Sequence, residues 1–327
     1  MNRVKYISSV FLRMLSLLIG VSIISFILVT NSPIDPLTSY IGAESTLSVE
    51  AKEEIAEHWG LNDPPLERFA SWGKNVLKGD FGTSITYKQP VSTVILERFK
   101  YSIVLMLVAW CFSGIVGFLI GVLAGIYKGS LFDKIIKIFC LALQSAPTFW
   151  IGLLILSLFS VYLGWFPIGF AVPMGKLSLE ITIWDRIYHL ILPALTLSIL
   201  GISRVTLFTR QKLIEILNSD FILFAKARGE NTRQLVIRHG LRNIALPAIT
   251  EQFASFSELF GGIALAETVF SYPGLGTATT AAGLNGDVPL LLGIAIFSAI
   301  FVFVGNFIAN ILYGVLDPRL KEGKYNG

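Results

Sequence analysis

Apolar residues in this chain gather into long runs. A helix needs roughly 20 mostly apolar residues to cross the hydrocarbon core of a bilayer. Six stretches meet that requirement, near Val10–Thr30, Tyr101–Tyr127, Ile135–Leu163, Leu190–Phe208, Pro247–Phe270 and Leu290–Leu316. The fourth is the weakest, because Pro193, Ser198, Ser203 and Arg204 interrupt it. The first begins among Arg3, Lys5 and Arg13, like a secretory signal, but its apolar run is too long and no small-x-small cleavage site follows. It reads as an uncleaved anchor. The pattern predicts an all-α membrane protein with six transmembrane helices.

The polar stretches set its orientation. Lys and Arg gather in cytoplasmic loops. With the N-terminus inside, the loop after the second span carries Lys128 and Lys134, the loop after the fourth carries Arg210, Lys212, Lys226, Arg228, Arg233, Arg238 and Arg242, and the tail carries Arg319, Lys321 and Lys324. On the opposite side the long loop 31–100 has more acids than bases, and the other loops hold only Lys176 and Arg186 as bases. Both termini are therefore expected in the cytoplasm. The predicted organisation is a cytoplasmic N-terminus (1–9), a first transmembrane helix (10–30), an extracytoplasmic loop (31–100), a five-helix core (101–318) with a cytoplasmic loop at 210–246, and a cytoplasmic tail (319–327). In the outer loop, Ser48 caps a helix reaching His58 or Trp59, Asn62-Asp63-Pro64-Pro65 turns the chain, and a second short helix, Leu66–Leu77, puts Phe69, Trp72 and Val76 on one side.

Composition supports this reading: 54% of the residues are hydrophobic and only 15% charged, against about 25% charged in soluble domains. The formal charge of +4 would suggest nucleic acid if the bases lay on a soluble face, but they cluster beside membrane spans, so no nucleic-acid partner is expected. Cys111 and Cys140 lie in apolar runs with no Cys or His nearby, which argues against a disulfide or a metal site. The segment Gly169–Leu177 imitates a phosphate-binding loop with the wrong spacing and no Ser or Thr after Lys176, and Gly274–Thr279 lacks the third glycine of a dinucleotide motif. No catalytic constellation and no cofactor site are visible, so any energy source must be a partner.

Three features remain. Gly117, Gly121 and Gly125 share one helix face, where small residues let another backbone approach. That neighbour is either another helix of this chain or a second subunit. Glu251, Glu258 and Glu267 lie in the fifth apolar run, and ionisable groups inside spans face cavities or partners. Glu251 and Glu258, about two turns apart, are candidates for lining a translocation pathway; for Glu251 the competing reading is a salt bridge near the cytoplasmic mouth, with Arg242. Finally, Asp220–Gly229 reads as a short helix with small residues at Ala225 and Ala227 and a stop at Gly229. It is either a docking element, with Phe221 and Phe224 as anchors, or a solvated basic face that sets topology.

At this loop the residues resemble a known family. Ala225-Lys-Ala-Arg-Gly229, Arg238-His-Gly-Leu-Arg-Asn243 and Leu246-Pro247 resemble the coupling loop of permeases of ATP-binding-cassette importers, in the form used by the dipeptide/oligopeptide/nickel family. So do Lys78-Gly-Asp80-Phe-Gly82-Thr-Ser84, Ser145-Ala-Pro147-Thr-Phe-Trp150, Glu267-Thr-Val-Phe-Ser-Tyr-Pro273-Gly-Leu-Gly276 and Asp317-Pro-Arg319. Glu267 belongs to the shared pattern, whereas Glu251 and Glu258 do not. The resemblance implies a type I importer permease fold, a B-type subunit, and alternating access. It also implies partners: a second, C-type permease, two cytoplasmic ATPases that hold ATP and Mg, and an extracytoplasmic binding protein that delivers a peptide, nickel or a metal-chelator complex. The rival class is a secondary transporter or channel without ATPase partners.

Overall fold

The computed structural model describes residues 3–31 and 63–316. Among the described residues the elements are helical, apart from an isolated antiparallel bridge between Thr83 and Pro90. In chain order they are α1 Arg3–Thr30, α2 Pro65–Leu77, α3 Val91–Ile126, α4 Leu131–Ser145, α5 Thr148–Leu156, α6 Ile183–Leu217, α7 Asp220–Ala227, α8 Thr232–Gln234, α9 Leu241–Ala254, α10 Phe256–Val269, α11 Leu275–Leu284 and α12 Val288–Leu316. A π-helical stretch, Ser157–Tyr162, continues α5, and another, Leu235–Gly240, joins α8 to α9. The chain forms two compact units, Met1–Ser102 with Pro273–Val304, and Ile103–Tyr272 with Gly305–Gly327.

The first unit has an apolar core of Val91, Val94 and Ile95 with Leu275, Ala278, Ala282, Leu290 and Ile294, flanked by Phe81, Tyr87 and Phe99. Beside it, a polar knot fixes the segment before α3. The fully buried Asp287 carboxylate accepts from Ser84 Oγ at 2.6 Å, the Thr86 amide at 2.9 Å and the Leu290 amide at 3.2 Å. Three donors compensate a buried carboxylate for its lost water. Asp80 accepts from the Gly82 amide at 2.8 Å, and Gly82 has φ +82°, a conformation that glycine adopts without strain. The predicted Leu66–Leu77 helix is α2, with Pro65 in its first turn, where a missing N–H costs nothing. Phe69 packs on Phe26 at 5.1 Å and on Trp72 at 5.8 Å between ring centroids. The expected helix from Ser48, with Trp59, lies outside the described residues, as does the tail from Asp317.

The second unit is built on α6, against which α4, α5, α9 and α10 pack. The stretch read as the weakest span is one continuous helix of 35 residues. Its polar residues face protein: Ser198, Ser203 and Thr206 are fully buried, and their hydroxyls donate to the carbonyls of Leu195, Ile199 and Gly117. The run 135–163, expected as one span, is bent by 109° between α4 and the α5 segment. Pro147 is the cause: Ala146 before it is extended (φ −90°, ψ 137°), as the proline ring requires. The run 247–270 is divided too, with α9 and α10 meeting at Ser255. Among the described residues three helices are long and apolar enough to cross a membrane, Val91–Ile126, Ile183–Leu217 and Val288–Ala309, and a fourth crossing is available if the bent pair Leu131–Ser145 and Thr148–Tyr162 counts as one.

Candidate coupling and translocation site

The segment 210–246 opens on the last turns of α6. Ser219 precedes α7, and its carbonyl accepts from the amides of Ile222 and Leu223 at 3.1 Å each. Asp220 places a carboxylate in the first turn, where the helix dipole favours it. After Ala227 and Arg228 the chain leaves the helix at Gly229, φ +91°, which an L side chain adopts only with strain. Asn231 then caps α8, exchanging bonds of 3.0 and 2.9 Å with Gln234.

α7 is seated by one face. Ile222, Ala225 and Leu235 form a small buried core with Ile216 and Leu217 beside it. This corrects one part of the expected docking surface: Ala225 is 7% exposed and turned inward, because it lies one turn from Ile222 on the seated face. The outward face carries Phe221, Leu223 and Phe224, all exposed, with Ala227 and Gly229 exposed at its end. Phe221 also lies 6.5 Å from the His239 ring, and Arg228 stacks over Phe224 at 6.0 Å. Glu230 accepts from His239 Nε2 at 3.1 Å in the tautomer that carries its proton there, and stands 4.0 Å from Arg238. An open groove of about 390 Å³ lies beside α7, lined by Phe221, Arg238, His239, Arg242 and Asn243.

The base of the loop is tied down by a pair that the sequence reading did not anticipate. Arg210, near the end of α6, donates through Nε and through Nη2 (2.7 Å) to Asp133, the latter a 3%-exposed residue in the first turn of α4. Asp133 also accepts from the Gly129 amide at 2.9 Å, so the turn between α3 and α4 and the exit of α6 share one carboxylate.

Glu251 and Glu258 come together on one partner, Arg204 of α6. Arg204 Nε donates to Glu251 at 2.7 Å, and Nη1 donates to Glu258. The expected alternative partner of Glu251, Arg242, is not the one it takes. Glu258 remains 67% exposed at its side chain despite the pair, and Glu251 is 21% exposed. Arg204 was legible only as an interruption of an apolar run. The signal that finds it is charge complementarity: one base in the fourth run and three acids in the fifth, each costly in hydrocarbon unless paired. Glu267, by contrast, is fully buried.

The glycine face packs within this chain. A Cβ at Gly117 would come within 2.9 Å of the Ile202 carbonyl, at Gly121 within 2.7 Å of the Thr206 carbonyl, and at Gly125 within 2.9 Å of Leu213, all on α6. Of the two neighbours left open by the spacing, the helix of the same chain is the one in contact.

Long apolar helices, an interhelical charge cluster and an outward-facing helix on a basic loop mark a membrane protein. The chain belongs to the family of binding-protein-dependent transport system inner membrane components, whose family model matches residues 117–322. It is similar to the oligopeptide transport system permease protein AppB of Bacillus subtilis, 36% identical over 311 residues covering 95% of this chain and 97% of that protein. It is also similar to the di/tripeptide transport system permease protein DppB of Pseudomonas aeruginosa, 33% identical over 95% of this chain and 98% of that protein. The dipeptide transport system permease protein DppB of Escherichia coli K12 is 31% identical over 94% of this chain and 95% of its own length. The resemblance seen in the motifs therefore extends over nearly the whole chain.

Proposed function

We propose that this chain is the B-type permease of an ATP-binding-cassette importer and that its cargo is a short peptide. In this reading the chain crosses the membrane six times with both termini in the cytoplasm. It pairs with a C-type permease, receives cargo from an extracytoplasmic binding protein, and takes its driving force from two cytoplasmic ATPases. ATP and Mg²⁺ act in those ATPases; this chain contributes no catalytic residue. The observation that carries the reading is α7. It is held from behind by Ile222 and Ala225 and presents Phe221, Phe224 and Ala227 outward on the one long basic loop, as a helix inserted in a cleft of another protein must. Aromatic side chains are favoured anchors in such contacts. Closure of the ATPases would move α7, and α6 and α9, joined to it through the seat at Ile216, Leu217 and Leu235, would transmit that movement to the pathway side of the bundle.

The peptide reading rests on the relatives' cargo; nickel and metal-chelator complexes are the competing cargoes. The test is reconstitution of the permease with its ATPases, partner permease and binding protein in proteoliposomes. Di- and tripeptides should stimulate ATP hydrolysis and accumulate inside, while Ni²⁺ and chelated Ni²⁺ should not. Accumulation without any ATP requirement would overturn the importer reading, and stimulation by nickel species alone would overturn the cargo.

A further inference from the structure

The helix break at Ser255 has an acid on each side. Glu251 sits in the last turn of α9, Glu258 in the first turn of α10, and both reach Arg204. Ser255 itself is buried, with its hydroxyl donating to the Gln252 carbonyl at 2.8 Å. One guanidinium thus holds the two halves of a broken helix against α6. The cluster is short of positive charge: two carboxylates face one base, and among the described residues no second base pairs with either acid. Two carboxylates on one guanidinium leave the cluster with a net negative charge, which favours acquisition of one more cation. Exposure says where that cation enters. Glu251 is largely covered, whereas Glu258 is 67% exposed, so its bond to Arg204 is the one open to competition.

We propose that Arg204 is a clamp across this hinge, and that an ammonium group on the cargo releases it by taking Glu258 in exchange for the guanidinium. The step is an exchange of ion pairs with no covalent change. Arg204 keeps Glu251, Glu258 gains the cargo's ammonium, and the cluster becomes neutral only while cargo is bound. Freed from one half, α10 pivots at Ser255 relative to α9. Arg204 and Glu258 are then specificity-determining residues, and the ligand class is a primary ammonium such as the free N-terminus of a peptide. This rests on the peptide-importer reading for the source of the ammonium, but the clamp itself does not.

The experiment uses the full transporter complex with spin labels at Ile249 on α9 and Leu265 on α10, both exposed. Without cargo, the wild type should give one narrow distance. Arg204→Gln and Glu258→Gln should broaden it and raise basal ATP hydrolysis several-fold, while Arg204→Lys should restore most of the narrow population and so separate clamping from misfolding. With the complex held outward by a non-hydrolysable ATP analogue, so that the cavity takes cargo directly, millimolar trialanine should shift the wild-type distance and N-acetyl-trialanine should not. Glu258→Gln should lose that discrimination. Unchanged distances in Arg204→Gln overturn the clamp. Equal shifts with both peptides, or with neither, overturn the exchange. A complex that takes up no peptide in proteoliposomes defeats the functional reading, whereas the cargo-free distances still judge the clamp.

Discussion

Gly121 is where the α3–α6 crossing is tightest. Its α-carbon faces the Thr206 carbonyl and Thr209 so closely that an added methyl group would lie 2.7 Å from both. Neither neighbour is the free end of a flexible side chain, so the helices themselves must separate. Overpacking of this kind costs about 1–3 kcal/mol. Gly121→Ala is therefore expected to lower the thermal unfolding midpoint in detergent, while Gly261→Ala, with nothing within 4 Å, leaves it unchanged or raises it slightly. The Asp133–Arg210 pair makes a second residue-scale prediction. Asp133 is 4% exposed at its side chain and Arg210 18%, so removing the carboxylate leaves a covered cation without its partner. Breaking a buried pair costs several kcal/mol, less here because Arg210 retains some access, about 2 kcal/mol. Asp133→Asn should lose that stability in a denaturation series, and Asp133→Asn with Arg210→Met should recover most of it. Additive losses in the double variant would show that the pair is not coupled.

At the scale of the element, α7 separates two consequences of bulk that Gly229 alone confounds. Gly229 has φ +91°, so any larger residue there strains the backbone as well as crowding a partner. Ala227 has ordinary helical geometry and an exposed side chain, so a large residue there crowds only what docks. Ala227→Trp is expected to reduce cargo-stimulated ATP hydrolysis and uptake together by tenfold or more, with expression and pairing with the other permease unaltered. Retention of full uptake would show that this face of α7 does not meet the ATPase. This helix was readable in the sequence because its signals are local: Asp220 at the start, Gly229 at the stop, small residues between. The inward turn of Ala225 was not, since it depends on Leu235, ten residues on. Distance along the chain also hid Arg204, whose partners are 47 and 54 residues away. For α6, the apolar signal is weak for a physical reason: the hydroxyls of Ser198, Ser203 and Thr206 are buried and donate to backbone carbonyls, so they lower the hydropathy without exposing polar groups. The bend after Ser145 was signalled by Pro147, but a run of apolar residues on both sides looks the same whether the helix continues or turns.

For the whole molecule, the number of crossings is the quantity on which pathway, docking and delivery all depend. Among the described residues three long helices and one bent pair qualify as crossings, α1 carries a shorter apolar stretch at Leu12–Ile27, and the parity of the α9–α10 segment is open. Each of its halves has 14 residues, about 21 Å, too short alone for a core of roughly 30 Å. Together they either cross once or enter and return on the same side. Single cysteines at Lys74, Lys128, Lys176, Arg233 and Leu284, introduced after replacing Cys111 and Cys140, sample every intervening segment: α3 between the first two, α4–α5 between the next, α6 between the next, and α9–α10 between the last. A membrane-impermeant maleimide applied to intact cells should label positions 74, 176 and 284 and reach 128 and 233 only after permeabilisation. The basic residues favour this pattern, since Lys128 and Lys134 and then Arg233, Arg238 and Arg242 are expected on the cytoplasmic side. Protection of 284 together with 233 would make α9–α10 a re-entrant pair and place the Ser255 hinge at its tip. External labelling of 233 would invert the molecule and remove α7 from reach of any cytoplasmic ATPase.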